Sequence, residues 1–258
     1  MATGRTTQRW LRFYADGYDL SGYLRKVETL KCEFDAPTDA ALLDEVRNAL
    51  ADQVSLGVGS LNGFFDNTAT LGLHVVASGA GVKRVVMVVF GIRAEPVNGD
   101  PAYVGEFTQL GYQAQEDGGR IVASIPFGEA NAVAAAIAYV NPWGVLLHAK
   151  GAETAINSST GVDDAGAATT RGGYLCYQLF SSNGTVTLKV QDAEVNANGS
   201  FADLSGATSG SINASVTPTA GIVALGNTAT VRRYLRWQLV FGTATTATFA
   251  LSFHRARN

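Results

Sequence analysis

The chain has 258 residues, of which 47% are hydrophobic and only 16% charged, with 29 glycines and a formal net charge of −3. That length accommodates one large β domain or two smaller ones and buries a core without disulfide or metal staples. No basic stripe of the kind a nucleic-acid binder needs is present, and charge this sparse, against roughly a quarter of residues in an average globular protein, suits association better than a solvated enzyme surface.

Taken in order, RWLRFY (9–14) reads as a strand stopped by the turn pair Asp16-Gly17. After YDLSGYL, the stretch from Leu24 to Phe34 reads as a second strand, ended by Pro37. Thr38 or Asp39 can cap a helix running to about Ala51, with Leu42, Leu43, Val46 and Leu50 on one face. Val54 to Phe65 returns to strand, and residues 67–78 admit a short helix capped by Asn67 or Thr68. Lys83 to Gly91 is a near-continuous apolar run, the mark of a strand buried on both faces. Tyr103 to Gln115 and Arg120 to Phe127 read as a hairpin around Asp117-Gly118-Gly119. Residues 129–140 look helical by propensity, although a short strand is possible, and 143–149 look like a strand. A Gly/Ala/Thr/Ser/Asp-rich linker covers 151–173. Beyond it come short strand runs about 8 to 12 residues apart, the pattern of a β-sandwich. Two stripes, Leu235, Trp237, Leu239 and Phe249, Leu251, Phe253, mark inward faces.

The charge is unevenly divided: residues 1–139 carry eleven Lys/Arg against sixteen Asp/Glu, and residues 140–258 carry eight against six. Arg232, Arg233 and Arg236 form the one local basic cluster, which in a strand is expected to be a salt-bridged or edge feature and not a DNA site. Cys32 and Cys176 lie far apart in apolar runs and are expected to be buried thiols, not a disulfide. The opening MATGRTTQRW has no apolar signal region and no run reaches transmembrane length, so the expectation is synthesis in the cytoplasm with no membrane partner.

Chemistry-bearing patterns are scarce. His74, His148 and His254 have no second ligand at zinc spacing. No G-x-S-x-G elbow occurs, and Gly57, Gly59 and Gly63 do not have dinucleotide-loop spacing. The pairs Asp44/Glu45, Glu116/Asp117 and Asp163/Asp164 are adjacent in sequence, which in a strand sends the two carboxylates to opposite faces. No enzyme activity, cofactor or metal is expected. Trp143 and Trp237 could stack on sugars in a carbohydrate-binding sandwich, but both sit inside apolar runs, where core packing is favoured.

Three stretches resemble the major tail tube proteins of long-tailed, non-contractile bacteriophages: FYADGYDLSGYLRKVE (13–28), VSLGVGSLNGFFDN (54–67) and the block from Phe90 to Ala130. The C-terminal runs GGYLCYQLF, GTVTLKVQD and VRRYLRWQLVF resemble sandwich domains that recur in phage virion proteins. The resemblance implies a mainly β fold: a tail-tube-like β-barrel or sandwich over residues 1–150 with a flanking helix, and an antiparallel β-sandwich over 151–258 as an outer decoration. It also implies a structural virion protein located in the tail. Copies would close into hexameric rings stacked as a tube that conducts double-stranded DNA without specific binding during genome ejection. Its further partners would be the tape measure, tail terminator and distal tail proteins. The candidates for facing the channel are Glu95, Asp100, Glu106, Glu116 and Asp117. Another virion component, such as a capsid decoration or baseplate protein, is the alternative within the same class.

Overall fold

A computed structural model describes residues 5–34, 38–39, 48–49, 54–130, 141–164 and 168–256. Its first strands are β1 (Leu11–Ala15), β2 (Tyr18–Asp19), β3 (Leu24–Val27), β4 (Leu30–Phe34), β5 (Thr38–Asp39), β6 (Asn48–Ala49), β7 (Val54–Val58) and β8 (Leu61–Phe64). After one short helix, α1 (Leu73–Ala77), come β9 (Lys83–Phe90), β10 (Pro101–Gln109), β11 (Gln113–Asp117), β12 (Arg120–Ile125) and β13 (Phe127–Ala130). Then follow β14 (Trp143–Glu153), β15 (Val162–Asp163), β16 (Gly173–Ser182), β17 (Thr185–Ala193) and β18 (Ala202–Thr208). The chain ends with β19 (Ile212–Asn213), β20 (Thr219–Ala224), β21 (Tyr234–Phe241) and β22 (Ala247–Arg255). The fold is mainly β and its strand pairs are antiparallel.

One eleven-stranded sheet runs through both halves of the chain in the order β2-β1-β9-β10-β14-β22-β16-β20, with β13, β7 and β4 branching from β10. A four-stranded sheet, β11-β12-β8-β3, packs on its N-terminal part, and a five-stranded sheet built on β15-β21-β17-β18 packs on its C-terminal part. Strand β14 is the corner. Its first three residues pair with β10, and from Val145 onward it pairs with β22 through two register shifts. Residue 150, the sequence boundary between the two halves, lies inside this strand.

Three cores result. Phe13, Leu61, Val86, Val88, Tyr103 and Phe107 fill the N-terminal sandwich. Leu175, Leu188, Leu235, Trp237, Leu251 and Phe253 fill the C-terminal one. The third contains Tyr14, Met87 and Val89 from one half with Leu146, Cys176 and Ala250 from the other, so the long sheet folds its two halves back to back. Strand alternation makes this possible. Val86 and Val88 face the first core while Met87 and Val89 face the third, which is why the 83–90 run is apolar throughout. The burial of Cys176 pushes its thiol well above the ordinary range, and both cysteines are free.

Several elements differ from the sequence reading. The runs 24–34 and 54–65 are each two strands, broken where Gly59 N donates to Thr29 O at 2.7 Å. A Cβ on Gly59 would come within 2.9 Å of Thr29 N, so glycine permits the contact that diverts β3 and β8 into one sheet and β4 and β7 into another. The 103–115 run is likewise divided between two sheets. Of the helix expected from residue 38 to about 51, residues 40–47 and 50–51 lie outside the described ones. Thr38–Asp39 and Asn48–Ala49 are instead paired antiparallel strands, Thr38 opposite Ala49. Residues 131–140 of the second expected helix are also outside the described set, and Phe127–Ala130 is strand. The short helix within 67–78 begins after Gly72, with no side-chain cap.

His254 is fully buried at the end of the third core. Its ring lies flat on Tyr174, with centroids 4.7 Å apart, and its Nε2 is 2.9 Å from Ser252 Oγ. Burial disfavours the imidazolium and holds the pKa at about 3, against an ordinary 6.5. The unfolded chain therefore binds a proton below pH 6.5 that the folded chain refuses, and stability falls with acidification from that point down to about pH 3. The loss amounts to about 1.4 kcal/mol per pH unit. Urea unfolding at about pH 6.5 and 4.5 should show His254→Gln sparing roughly 2–3 kcal/mol of the acid loss seen in the native chain. An identical pH dependence for the two proteins would contradict this.

Candidate assembly surface

The four-stranded sheet has one apolar and one polar face. Leu61 lies opposite Ile125 and Gly63 opposite Ala123, all four buried against the N-terminal core. The alternate pairs point outward: Asn62 with Ser124, Phe64 with Val122, Gln113 with Ser124, Gln115 with Val122, and Asp117 with Arg120. A register shift between Leu24 and Lys26 leaves both Arg25 and Lys26 exposed. The β11–β12 hairpin is closed by Gly118 and Gly119 at φ 62° and 81°, the left-handed pair that a two-residue turn requires. All five residues of β11 are exposed, and so are Arg120 and Ile121 of β12, so the hairpin projects beyond the core.

Two of the three basic side chains on the outer face are ion-paired. Arg25 pairs with Asp117 at 2.8 Å and Lys26 with Glu28 at 3.7 Å, and Asn62 Nδ2 donates to Glu28 Oε1 at 3.1 Å. Arg25 and Arg120 flank the exposed Phe64 ring at 5.5 and 5.9 Å. Among the described residues β11 pairs only with β12, and β3 only with β8, so both edges of this sheet carry unpaired backbone groups. Such edges are templates for a strand of another chain.

The five acids singled out from sequence do not share this face. Asp117 is on it, and Glu116 lies beside it at the hairpin end, its carboxylate accepting from Gly119 N. Glu95 follows β9 and pairs with Arg12. Glu106 is on β10, 3.5 Å from Lys83. Asp100 is only 7% exposed, and its Oδ2 accepts from Val97 N at 2.8 Å to close a turn. The residues that do form the polar face, Arg25, Lys26, Asn62, Gln113, Gln115 and Ser124, were missed because acids were sought in place of strand alternation. The run QAQED, polar at every position but Ala114, beside RIVASI was the available signal.

Trp237 is 4% exposed in the C-terminal core, edge-on to His148 and Phe249, and offers no ring to a sugar. Trp143 is 36% exposed and packs edge-on against Tyr103 at 5.1 Å. Two members of the arginine cluster are ion-paired, as expected, and the third is hydrogen-bonded to neutral groups. Arg233 pairs with Asp163 at 2.5 Å, and Arg232 N donates to Asp192 Oδ2 at 2.8 Å. Arg236 is buried, donating to Gln191 Oε1, Ser158 O and Asn198 Oδ1 over the Phe201 ring. His148 Nε2 lies 3.0 Å from Glu153 Oε1. No group of three or more His, Cys, Asp or Glu side chains suited to a metal occurs among the described residues.

No family model matches the chain, and no curated protein matches it. Among solved structures, the Dit protein of bacteriophage SPP1, described as a paradigm of the hub adsorption apparatus in phages infecting Gram-positive hosts, is similar over 95% of this chain and 98% of that one, with 12% identity and a TM-score of 0.31.

Proposed function

We propose that the chain is a structural, non-catalytic subunit of a bacteriophage tail, in the virion, and that it builds the tail tube. Copies join through the free edges of the four-stranded sheet, β11 of one against β3 of the next, and close as hexameric rings that stack. A head-to-tail contact between two different edges closes a ring when the rotation per subunit allows it. The observation that carries this reading is a sheet whose two edges are unpaired among the described residues, with an apolar inner face and a polar outer face on which Arg25 and Lys26 are ion-paired with Asp117 and Glu28. Turned toward a channel, that face would offer duplex DNA one basic side chain per copy that is unpaired among the described residues, Arg120. A net basic lining would hold the phosphates. The tail-tube-like stretches at 13–28 and 54–67 contribute β3 and β8 of this same sheet.

Electron microscopy of the purified protein is expected to show rings or tubes, and a uniformly monomeric protein would defeat the reading. Edge pairing has its own test. Hydrogen-bonded and free positions alternate along an antiparallel pair, and the closing pair Asp117/Arg120 is a bonded one. Ala114 therefore turns its N–H to the open edge. Ala114→Pro should leave the circular dichroism spectrum unchanged and abolish rings, because proline removes that donor. Intact rings from this variant would exclude β11 as the contact.

A further inference from the structure

The eleven-stranded sheet ends on β20, and this edge differs in kind from those of the four-stranded sheet. Among the described residues β20 pairs only with β16, along all six of its residues. The edges β11 and β3 carry Glu116, Asp117, Arg25 and Lys26, side chains that restrict which strand can pair beside them. β20 reads TAGIVA, and no Asp, Glu, Lys or Arg occurs anywhere from Leu204 to Val231. Both faces of the strand are supported from below: Val223 packs on the C-terminal core, and Ile222 and Ala224 pack on the third. Leu225 N donates to Gly173 O at 2.8 Å, one step beyond the pair Tyr174/Ala224. Bonded and free positions alternate along an antiparallel ladder. Thr219, Gly221 and Val223 therefore turn their main-chain groups to β16, and Ala220, Ile222 and Ala224 turn theirs to the open edge.

We infer that this edge docks on the same edge of a second copy, antiparallel, about a twofold axis at Ile222. In that register Ile222 lies opposite Ile222 and Ala220 opposite Ala224, so each outward N–H of the three residues meets an outward C=O of the other copy. The neighbouring registers fail. A centre at Ala220 sets Ile222 opposite Pro218, which has no N–H to give. A centre at Ala224 sets Ile222 opposite Gly226, in the turn where Ala229 N donates to Gly226 O. Charge selects the occupant. A charged strand would give up water and find no counter-charge between Leu204 and Val231, whereas a second copy of this neutral edge brings no charge to satisfy. The contact goes beyond the ring reading. It lies in the C-terminal half, uses neither β11 nor β3, and joins copies in closed pairs where a head-to-tail contact would propagate.

Ala114→Pro, which blocks the β11 edge, isolates this contact. Sedimentation velocity of that variant should show a dimer whose dissociation constant is the same at about 0.1 and about 1 M salt, because no ion pair holds it. Adding Ala224→Pro removes one outward donor from each strand. It should weaken the pairing about tenfold or more and leave the circular dichroism spectrum unchanged. An Ala114→Pro chain that stays monomeric at every concentration overturns the inference, and so does a dimer that Ala224→Pro leaves intact. Amide exchange reads the same contact without a change in β20. In the Ala114→Pro chain the amides of Ala220, Ile222 and Ala224 should slow about tenfold or more as concentration rises through the dissociation constant, while those of Gly221 and Val223 stay protected throughout. Exchange at the first three that ignores concentration overturns the twofold pairing. A native chain that forms these dimers but never rings would defeat the ring reading and leave the β20 contact standing.

Discussion

Replacing Arg255 with leucine is expected to lower folding stability by about 3–5 kcal/mol. The guanidinium is 8% exposed at the end of β22. Its Nε donates to Asp164 Oδ2 at 2.5 Å, and Nη1 donates to Val231 O at 2.8 Å. Nη2 donates to the carbonyls of Arg232 and Arg233. One side chain thus satisfies a buried carboxylate and three backbone carbonyls where the chain enters β21. Leucine fills part of the volume but leaves all four acceptors without that donor. Burial already pushes the Asp164 carboxyl above the usual carboxylate range, and Arg255 is the main group opposing it. Without Arg255 the ionised carboxylate is stranded, and it is this uncompensated charge, more than the lost attraction, that sets the size of the effect.

Two further measurements separate the terms. The double variant Arg255→Leu/Asp164→Leu should recover more than half of the loss, because no buried charge remains, and a double-mutant cycle in urea isolates the coupling. The pH dependence has a definite sign. With Arg255 gone, the folded-state pKa of Asp164 rises further, so the penalty is present above that pKa and is relieved as pH falls through it. The single variant should therefore lose less, relative to the native chain, in mild acid than at neutral pH. A loss under about 1 kcal/mol at neutral pH, the value typical of exposed pairs, would show the pair to be solvent-screened and overturn the account.

Local features were the most legible in the sequence. Asp16-Gly17 and Gly118-Gly119 are the turns their residue types require, with positive φ at all four positions. The 83–90 run is buried on both faces, and the stripes on β21 and β22 point into the C-terminal core. The breaks at Gly59 and around residues 110–112 were not legible, because a local apolar pattern continues across them and only the contact with a distant strand shows where pairing changes sheets. The third core was hidden for a similar reason. Ala250, Ser252 and His254 occupy alternate positions on β22 that read as an outward face, yet all three are fully buried, because the sheet doubles back at β14. The acids proposed from sequence to face a channel rest on charge alone. The structure pairs Glu95, Glu106 and Asp117 with Arg12, Lys83 and Arg25 and buries Asp100 in a turn.

The doubling back puts unusual weight on a single glycine. Gly17 sits in the β1–β2 turn at φ 81°, and its N–H donates to the fully buried Oε1 of Gln178 at 2.6 Å, while Gln178 Nε2 donates to Val85 O at 2.9 Å. A Cβ at this position would meet Thr219 N at 2.6 Å and Leu179 O at 2.7 Å, both main-chain atoms of the C-terminal half that have no rotamer with which to move away. Gly17→Ala is therefore expected to cost about 3 kcal/mol: roughly 1–2 for an L-residue in the left-handed region and about 1–3 for forcing two packed backbones apart. The hairpin end provides the control, since Gly119 has the same φ of 81° with nothing within 4 Å of its missing Cβ. Gly119→Ala should show the conformational cost alone, near 1 kcal/mol. The difference between the two variants in urea unfolding measures how tightly the halves are pressed together. Amide exchange should localise it, with faster exchange in Gly17→Ala at Val85 to Val89 and Leu175 to Leu179, on either side of the third core, and no such change in Gly119→Ala. Equal costs for the two alanines would mean that the halves of the long sheet do not bear on one another at this turn.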